Sequence, residues 1–211
     1  MNAVSPNNTV DFYGRDFLVT KDTLIPRPET EQLIDAILSL AGKPYLPGIK
    51  APVRILPNSP KIIDVGTGTG CIATTIKKEL PEADVYAVDI SGAALKVAQK
   101  NAETHGASIS FIIAHLLTKI NDADLIVANL PYVDEAWDWL DKETLSKEPS
   151  MALYAEDHGL ALIKELIDTA RATYLVLEAD PCQHNDIINY ASKKGFDHLE
   201  TRGFALVFKK D

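Results

Sequence analysis

Lys61-Ile62-Ile63-Asp64-Val65-Gly66-Thr67-Gly68-Thr69-Gly70-Cys71 is the stretch that decides the fold of this chain. Its first five residues are a short apolar run, as in a buried strand, and Cys71 opens a helical pattern that continues to Leu80. Between them, three glycines stand at alternate positions. Lacking Cβ atoms, they let the backbone turn tightly and approach a ligand closely. The helix start that follows presents unpaired N–H groups. A dinucleotide-binding loop places glycine at the sixth position of G-x-G-x-x-G; here that position is Cys71, which argues against a nicotinamide dinucleotide.

The same strand-and-helix alternation continues downstream. Val85 to Val88 reads as a strand, and Ser91 caps a helix running to about His105. Ile109 to Ala114 and Leu125 to Ala128 are further strands. A helix over Gly159 to Ala172, a strand over Tyr174 to Leu177 and a helix over Cys182 to Lys194 follow. His198 to Thr201 and Ala205 to Phe208 close the chain as a hairpin. Apolar strands alternating with helices predict an α/β fold with a mostly parallel sheet covered on both faces. Upstream, Val10 to Tyr13 and Phe17 to Thr20 read as a hairpin. Leu33, Ile34, Ile37, Leu38 and Leu40 mark a helix entered through Pro28 and Glu29. Five of the twelve prolines fall between Gly42 and Pro60. The expected organisation is an N-terminal arm over 1–45, a proline-rich connection over 46–60 and the main domain over 61–211.

The 211 residues are 46% hydrophobic and 24% charged, which excludes disorder and small disulfide scaffolds. No apolar run approaches the ~20 residues that span a bilayer, and no leader pattern opens the chain, so a soluble protein with no membrane contact is expected. Thirty acidic residues against 21 basic give a formal net charge of -9, which argues against a nucleic-acid partner. Cys71 and Cys182 have neither metal-ligand nor redox spacing and suit a reducing cytoplasm.

Asp89 stands 19 residues past Gly70, at the end of the second strand of the main domain. A carboxylate there can accept both hydroxyls of a ribose. The chain has no P-loop lysine to grip a phosphate, so an adenosine ligand without phosphates is implied, and S-adenosylmethionine is the one expected. Asn129-Leu130-Pro131-Tyr132 ends the strand Leu125 to Ala128, and so faces the same crevice as the glycines. Pro131 fixes its own φ and pushes Leu130 toward extended backbone, which can turn the Leu130 carbonyl into the cavity. With the Asn129 side-chain carbonyl and the Tyr132 ring, this gives two acceptors and a flat face. They suit a planar NH₂ group, either a carboxamide or the exocyclic amine of a base. Hydrogen bonds from both N–H groups would favour positive charge building on that nitrogen and hold it in line with a sulfonium methyl.

These blocks resemble the catalytic domain of the HemK-like glutamine N5-methyltransferases, whose best-known members modify peptide-chain release factors. The resemblance covers about residues 11 to 185. It rests on Ile25 to Glu31, Asp64 to Gly70, Val88-Asp89-Ile90-Ser91, Asn129 to Tyr132 and Glu148-Pro149-Ser150-Met151-Ala152-Leu153. It implies a seven-stranded, Rossmann-like class I methyltransferase fold with the last strand antiparallel, and S-adenosyl-L-methionine as methyl donor. Gly66, Thr67, Gly68, Thr69, Gly70, Asp89, Ile90, Leu116 and Asn129 fall to the cofactor. Asn129, Leu130, Pro131 and Tyr132 fall to the acceptor glutamine of a protein substrate, a release factor by the same resemblance. Phe17 and the Arg27 to Glu31 segment are expected to cover the cofactor pocket. The alternatives are an amino-methyltransferase of RNA or DNA, and a cofactor-binding protein without catalysis.

The departures are specific. The family usually has two prolines after the asparagine, and here the first is Leu130. His115 and Leu116 stand where an acid and an aromatic are usual, and Glu178 to Gln183 replaces a glycine turn. The family's helical N-terminal domain is not among these residues, since 25 precede Pro26. Trp137 and Trp139 lie in the acidic stretch after Tyr132, as a partner contact or as packing.

Overall fold

The computed structural model describes residues 8–45, 50–120, 122–138 and 148–211. In chain order the strands are β1 Thr9–Phe12, β2 Arg15–Leu18, β3 Lys61–Val65, β4 Asp84–Asp89, β5 Ser110–Ile113, β6 Ala123–Ala128, β7 Ala172–Glu178, β8 Phe196–Arg202 and β9 Ala205–Lys210. The helices among the described residues are α1 Glu31–Leu40, α2 Cys71–Glu79, α3 Gly92–Thr104, α4 Ala161–Thr169 and α5 His184–Ser192. The long helix expected from Cys182 begins instead as a 3-10 turn over Pro181–Gln183. Asp180 caps it, accepting from the Cys182 N–H at 2.9 Å, a satisfactory substitute for the glycine turn.

β1 and β2 pair as an antiparallel hairpin. The other seven strands form one sheet in the order β5-β4-β3-β6-β7-β9-β8. β3 to β7 run parallel, and β9, the last strand in the chain, enters antiparallel to both β7 and β8. This is the seven-stranded class I methyltransferase arrangement.

Alternate residues of a strand point to opposite faces, and β6 sorts itself accordingly. Leu125 and Val127 join the core under α1 and α2, where Leu33, Ile37, Ile72 and Ile76 are buried. Ile126 and Ala128 join the second core under α4 and α5, with Ile163, Leu166, Ile167 and Ile187. The near-continuous apolar runs of the central strands are thus the consequence of a sheet covered twice. The hairpin adds Phe12 and Phe17 to the first core, their rings edge-to-face with centroids 6.0 Å apart. No helix among the described residues is long and apolar enough to cross a membrane.

Candidate active site

The chain runs outward from β3 through β4 to β5, then returns to place β6 on the other side of β3. That reversal opens a crevice beyond the carboxyl ends of β3, β4 and β6, the usual ligand position in open α/β sheets. A cavity of about 460 Å³ lies there, within the range of small-molecule sites. Gly66 to Thr69, Asp89, Ile90, Leu116 and Asn129 to Pro131 line it, together with Thr23, Arg27 and Thr30 from the N-terminal segment.

The floor is the glycine loop. Asp64, fully buried at the end of β3, accepts from Thr67 Oγ1 at 2.6 Å and from the Ala73 N–H at 3.1 Å, tying the loop to the first turn of α2. Burial pushes the Asp64 carboxyl up to about 7; those two hydrogen bonds oppose the rise and Asp89 adds to it. Gly70 does not line the cavity. A Cβ there would stand 2.8 Å from the Ala98 Cβ, so this glycine serves close packing of the loop against α3. Asn101 of α3 bonds to Leu18 through both its N–H and its C=O, and donates to the Thr69 carbonyl at 2.9 Å. One buried amide thereby joins the hairpin to the glycine loop.

Raised carboxyls fix a sign for stability. Glu178, described below, is also pushed up to about 7. In the folded chain Asp64 and Glu178 keep protons that the unfolded chain releases near pH 4. The stability present when both are neutral is therefore lost as pH rises from about 4 through about 7. The melting temperature should carry this downward slope between pH 5 and 8, and Asp64→Asn should flatten it. Thermal melts across that range check the slope, and an unchanged slope in the variant would remove Asp64 as its source.

Asp89 occupies the second wall. Its Oδ2 accepts from the Gly68 N–H at 2.9 Å and its Oδ1 from the Ser91 N–H at 2.8 Å. Each oxygen keeps a further acceptor position toward the cavity. Ile90 is half exposed at the rim. Leu116 is buried in the wall at φ +43, a left-handed backbone unfavourable for a residue bearing a Cβ. His115 stands beside Glu165, with 3.4 Å between Nδ1 and Oε1.

Phe17 does not reach this cavity. It is fully buried in the hairpin core between Phe12 and the His105 ring, and the lid position expected for it falls to Lys21, Asp22, Thr23 and Leu24 instead. An aromatic on a short amphipathic strand fits either surface, and here it packs into the core shared with Leu33, Ile34 and Ile37 of α1. Arg27 and Thr30 line the cavity as expected, whereas Glu31 turns away to accept the Tyr13 N–H at 2.7 Å. Arg27 pairs with Glu148 through Nη2 and Oε1, and Glu148 Oε2 accepts the Ile25 N–H at 3.0 Å. Both side chains are largely buried, and they lock the N-terminal segment onto the chain that follows the loop after β6.

That loop, Asn129 to Tyr132, is held from behind. Asn129 Nδ2 donates to Thr30 Oγ1 at 3.0 Å, which leaves the Asn129 carbonyl oxygen for the cavity. The Leu130 side chain is buried against Gly66. Tyr132 does not line the cavity; its hydroxyl donates to Glu178 Oε1 at 3.0 Å, at the carboxyl end of β7. Gln183 Nε2 donates to the Tyr132 carbonyl at 2.8 Å and to the His158 carbonyl at 2.9 Å. Glu178 is raised by burial, an effect opposed by Thr30, Tyr132 and Asn129. Burial and the facing Glu178 carboxylate hold the Tyr132 phenol neutral. Thr30 and Glu178 were the site residues whose parts the sequence did not disclose. The signal available for Glu178 was an acidic residue at the carboxyl end of an apolar strand. Trp137 lies in the loop beyond, and Trp139 is outside the described residues.

The family model for the methyltransferase small domain matches residues 48–143. A release factor glutamine methyltransferase of Flavobacterium psychrophilum is 36% identical over 206 residues, covering 95% of this chain and 68% of the relative. The chain belongs to the release factor glutamine methyltransferase family. A second member, from Koribacter versatilis, is 44% identical over 160 residues, 74% of this chain. The chain spans about half of that relative's length, at 52%. Among solved structures, a ribosomal protein L11 methylase from Lactobacillus delbrueckii subsp. bulgaricus superposes with a TM-score of 0.58, at 22% identity, covering 89% of this chain and 81% of that one. This last likeness is one of fold.

Proposed function

We propose that this chain transfers a methyl group from S-adenosyl-L-methionine to the side-chain nitrogen of a glutamine in a protein, with a peptide-chain release factor as substrate and the cytoplasm as its place of action. The observation that carries the reading is that Asn129, Leu130 and Pro131 line the same cavity as the glycine loop, with Asn129 Nδ2 already donating to Thr30. The family's named members support the protein substrate, and the net charge of -9 disfavours a polyanionic one.

The cavity suits the cofactor. Its volume, an acid aimed at the ribose position and a glycine floor that brings backbone N–H groups close meet an adenosine with an amino-acid tail. When bound, S-adenosylmethionine supplies an electrophilic methyl on a sulfonium. Gly66 to Thr69, Asp89, Ile90 and Leu116 would hold it. Asn129 Oδ1 and the Leu130 carbonyl accept the two N–H groups of the glutamine amide and keep its nitrogen in line. Acceptors placed there strengthen as the nitrogen becomes positive, so they favour the transition state over the bound amide. The nitrogen gains the methyl and gives up one proton afterwards, so no strong base is required. Tyr132 contributes through Glu178, holding the loop in place.

Asp89→Ala should weaken cofactor binding by about tenfold to a hundredfold, the equivalent of about 1.5–3 kcal/mol for hydrogen bonds to a charged group. Titration calorimetry reads this directly, and unchanged affinity would move the ribose elsewhere. The function itself is tested with labelled cofactor and a release factor. One methyl is expected on the glutamine of its Gly-Gly-Gln loop, and label found only on RNA or DNA would sink the proposal.

A further inference from the structure

We propose that Glu178 and Thr30 are positioning residues that set which end of the Asn129 amide faces the acceptor. The inference rests on the reading that Asn129 Oδ1 receives the acceptor N–H.

The argument is a count of protons. Glu178 is 1% exposed, and one of its oxygens, Oε2, has no well-formed hydrogen bond among the described residues. An ionised carboxylate can only accept. Tyr132 gives it one proton, at Oε1. Thr30 is the other hydroxyl beside this carboxylate, the Asn129 NH₂ lies beside it too, and both favour the charged form. A hydroxyl has a single proton: when Thr30 directs its own at Glu178, Thr30 Oγ1 can only accept from Asn129. Nδ2 must then point at Thr30, as it does at 3.0 Å, and Oδ1 must face the cavity. If Glu178 takes up a proton, the chain of obligations reverses. Glu178 can donate to Thr30, Thr30 can donate to Asn129 Oδ1, and the amide can turn its NH₂ toward the acceptor NH₂, donor against donor.

The groups facing Glu178 are the Tyr132 phenol, Glu29 on the turn before α1 and the Cys71 thiol opening α2, with Asp180 beyond β7 close to the phenol. Burial lifts the thiol to about 12 and holds the phenol protonated. Asp64, under the glycine loop, also titrates near 7, so kcat must be measured at saturating cofactor.

Turnover should therefore rise with pH through about 7 to a plateau. Glu178→Gln should lower plateau kcat by about tenfold to a hundredfold, the usual effect of losing an outer partner of a reacting group, and abolish the acid limb. Thr30→Val should do the same, and Thr30→Ser should restore kcat to within about threefold, with cofactor affinity little changed throughout. The second readout needs no methyl transfer: the Asn129 side-chain ¹⁵N resonance should shift with pH about a midpoint near 7, and lose that midpoint in both disabling variants. A resonance that titrates as described in a protein that methylates no glutamine would keep the relay and overturn the acceptor reading. Glutamine methylation whose acid limb persists in Glu178→Gln and Thr30→Val, or a resonance indifferent to pH, would overturn the relay.

Discussion

Asn129→Ala is expected to lower methyl transfer by about 10²–10³-fold while cofactor affinity stays within about threefold, the scale seen when one preorganised partner of a developing charge is removed. The substitution deletes the acceptor that Thr30 turns toward the cavity. The Leu130 carbonyl remains, so the substrate can still enter, but it is held at one N–H group and is free to rotate out of line. In the proposed reading cofactor binding falls mainly to the glycine loop and Asp89, which bond to each other through the Gly68 N–H at 2.9 Å without Asn129. Single-turnover transfer alongside calorimetry separates the two effects. Transfer near the wild-type rate would mean that the acceptor lies elsewhere in the cavity.

Gly159→Ala is expected to damage the same loop from beneath. Gly159 has φ +81, and a Cβ on it would stand 1.9 Å from the Tyr132 carbonyl oxygen and 2.6 Å from Gln183 Nε2. The left-handed backbone alone costs an alanine roughly 1–2 kcal/mol. The obstructing atom belongs to backbone, so relief requires moving Tyr132 and breaking its bond from Gln183; the total loss should reach about 3 kcal/mol or more. Displacement by about 1 Å at a reacting centre costs about 10²-fold in rate. Below its lowered melting temperature the variant should therefore bind cofactor normally and turn over about a hundredfold more slowly. A variant with wild-type stability would show that the loop yields without strain.

Much of this molecule is written in local pattern. Short apolar runs alternating with helical periodicity announce a doubly covered sheet because each strand must be apolar on both faces, as Leu125 to Ala128 are. That Gly66 to Thr69, Asp89 and Asn129 line one cavity was legible for a related reason. Each stands at the carboxyl end of a strand, and in an open parallel sheet those ends open on one crevice. Phe17 shows the boundary of that reasoning, since periodicity says that an aromatic is buried but not against what.

The contacts that orient the site lie beyond such pattern. Thr30 reaches Asn129 across 99 positions, Arg27 reaches Glu148 across 121, and Tyr132 reaches Glu178 across 46. Nothing in the neighbourhood of any one of these residues names its partner. Their pairing follows from where the seven strands and the N-terminal segment come to rest, and from the requirement that polar groups enclosed there find one another. The chemistry available at the crevice is thus a property of strand ends and residue types. The direction in which the Asn129 amide points, and the charge on the carboxylate behind it, are properties of the packed protein.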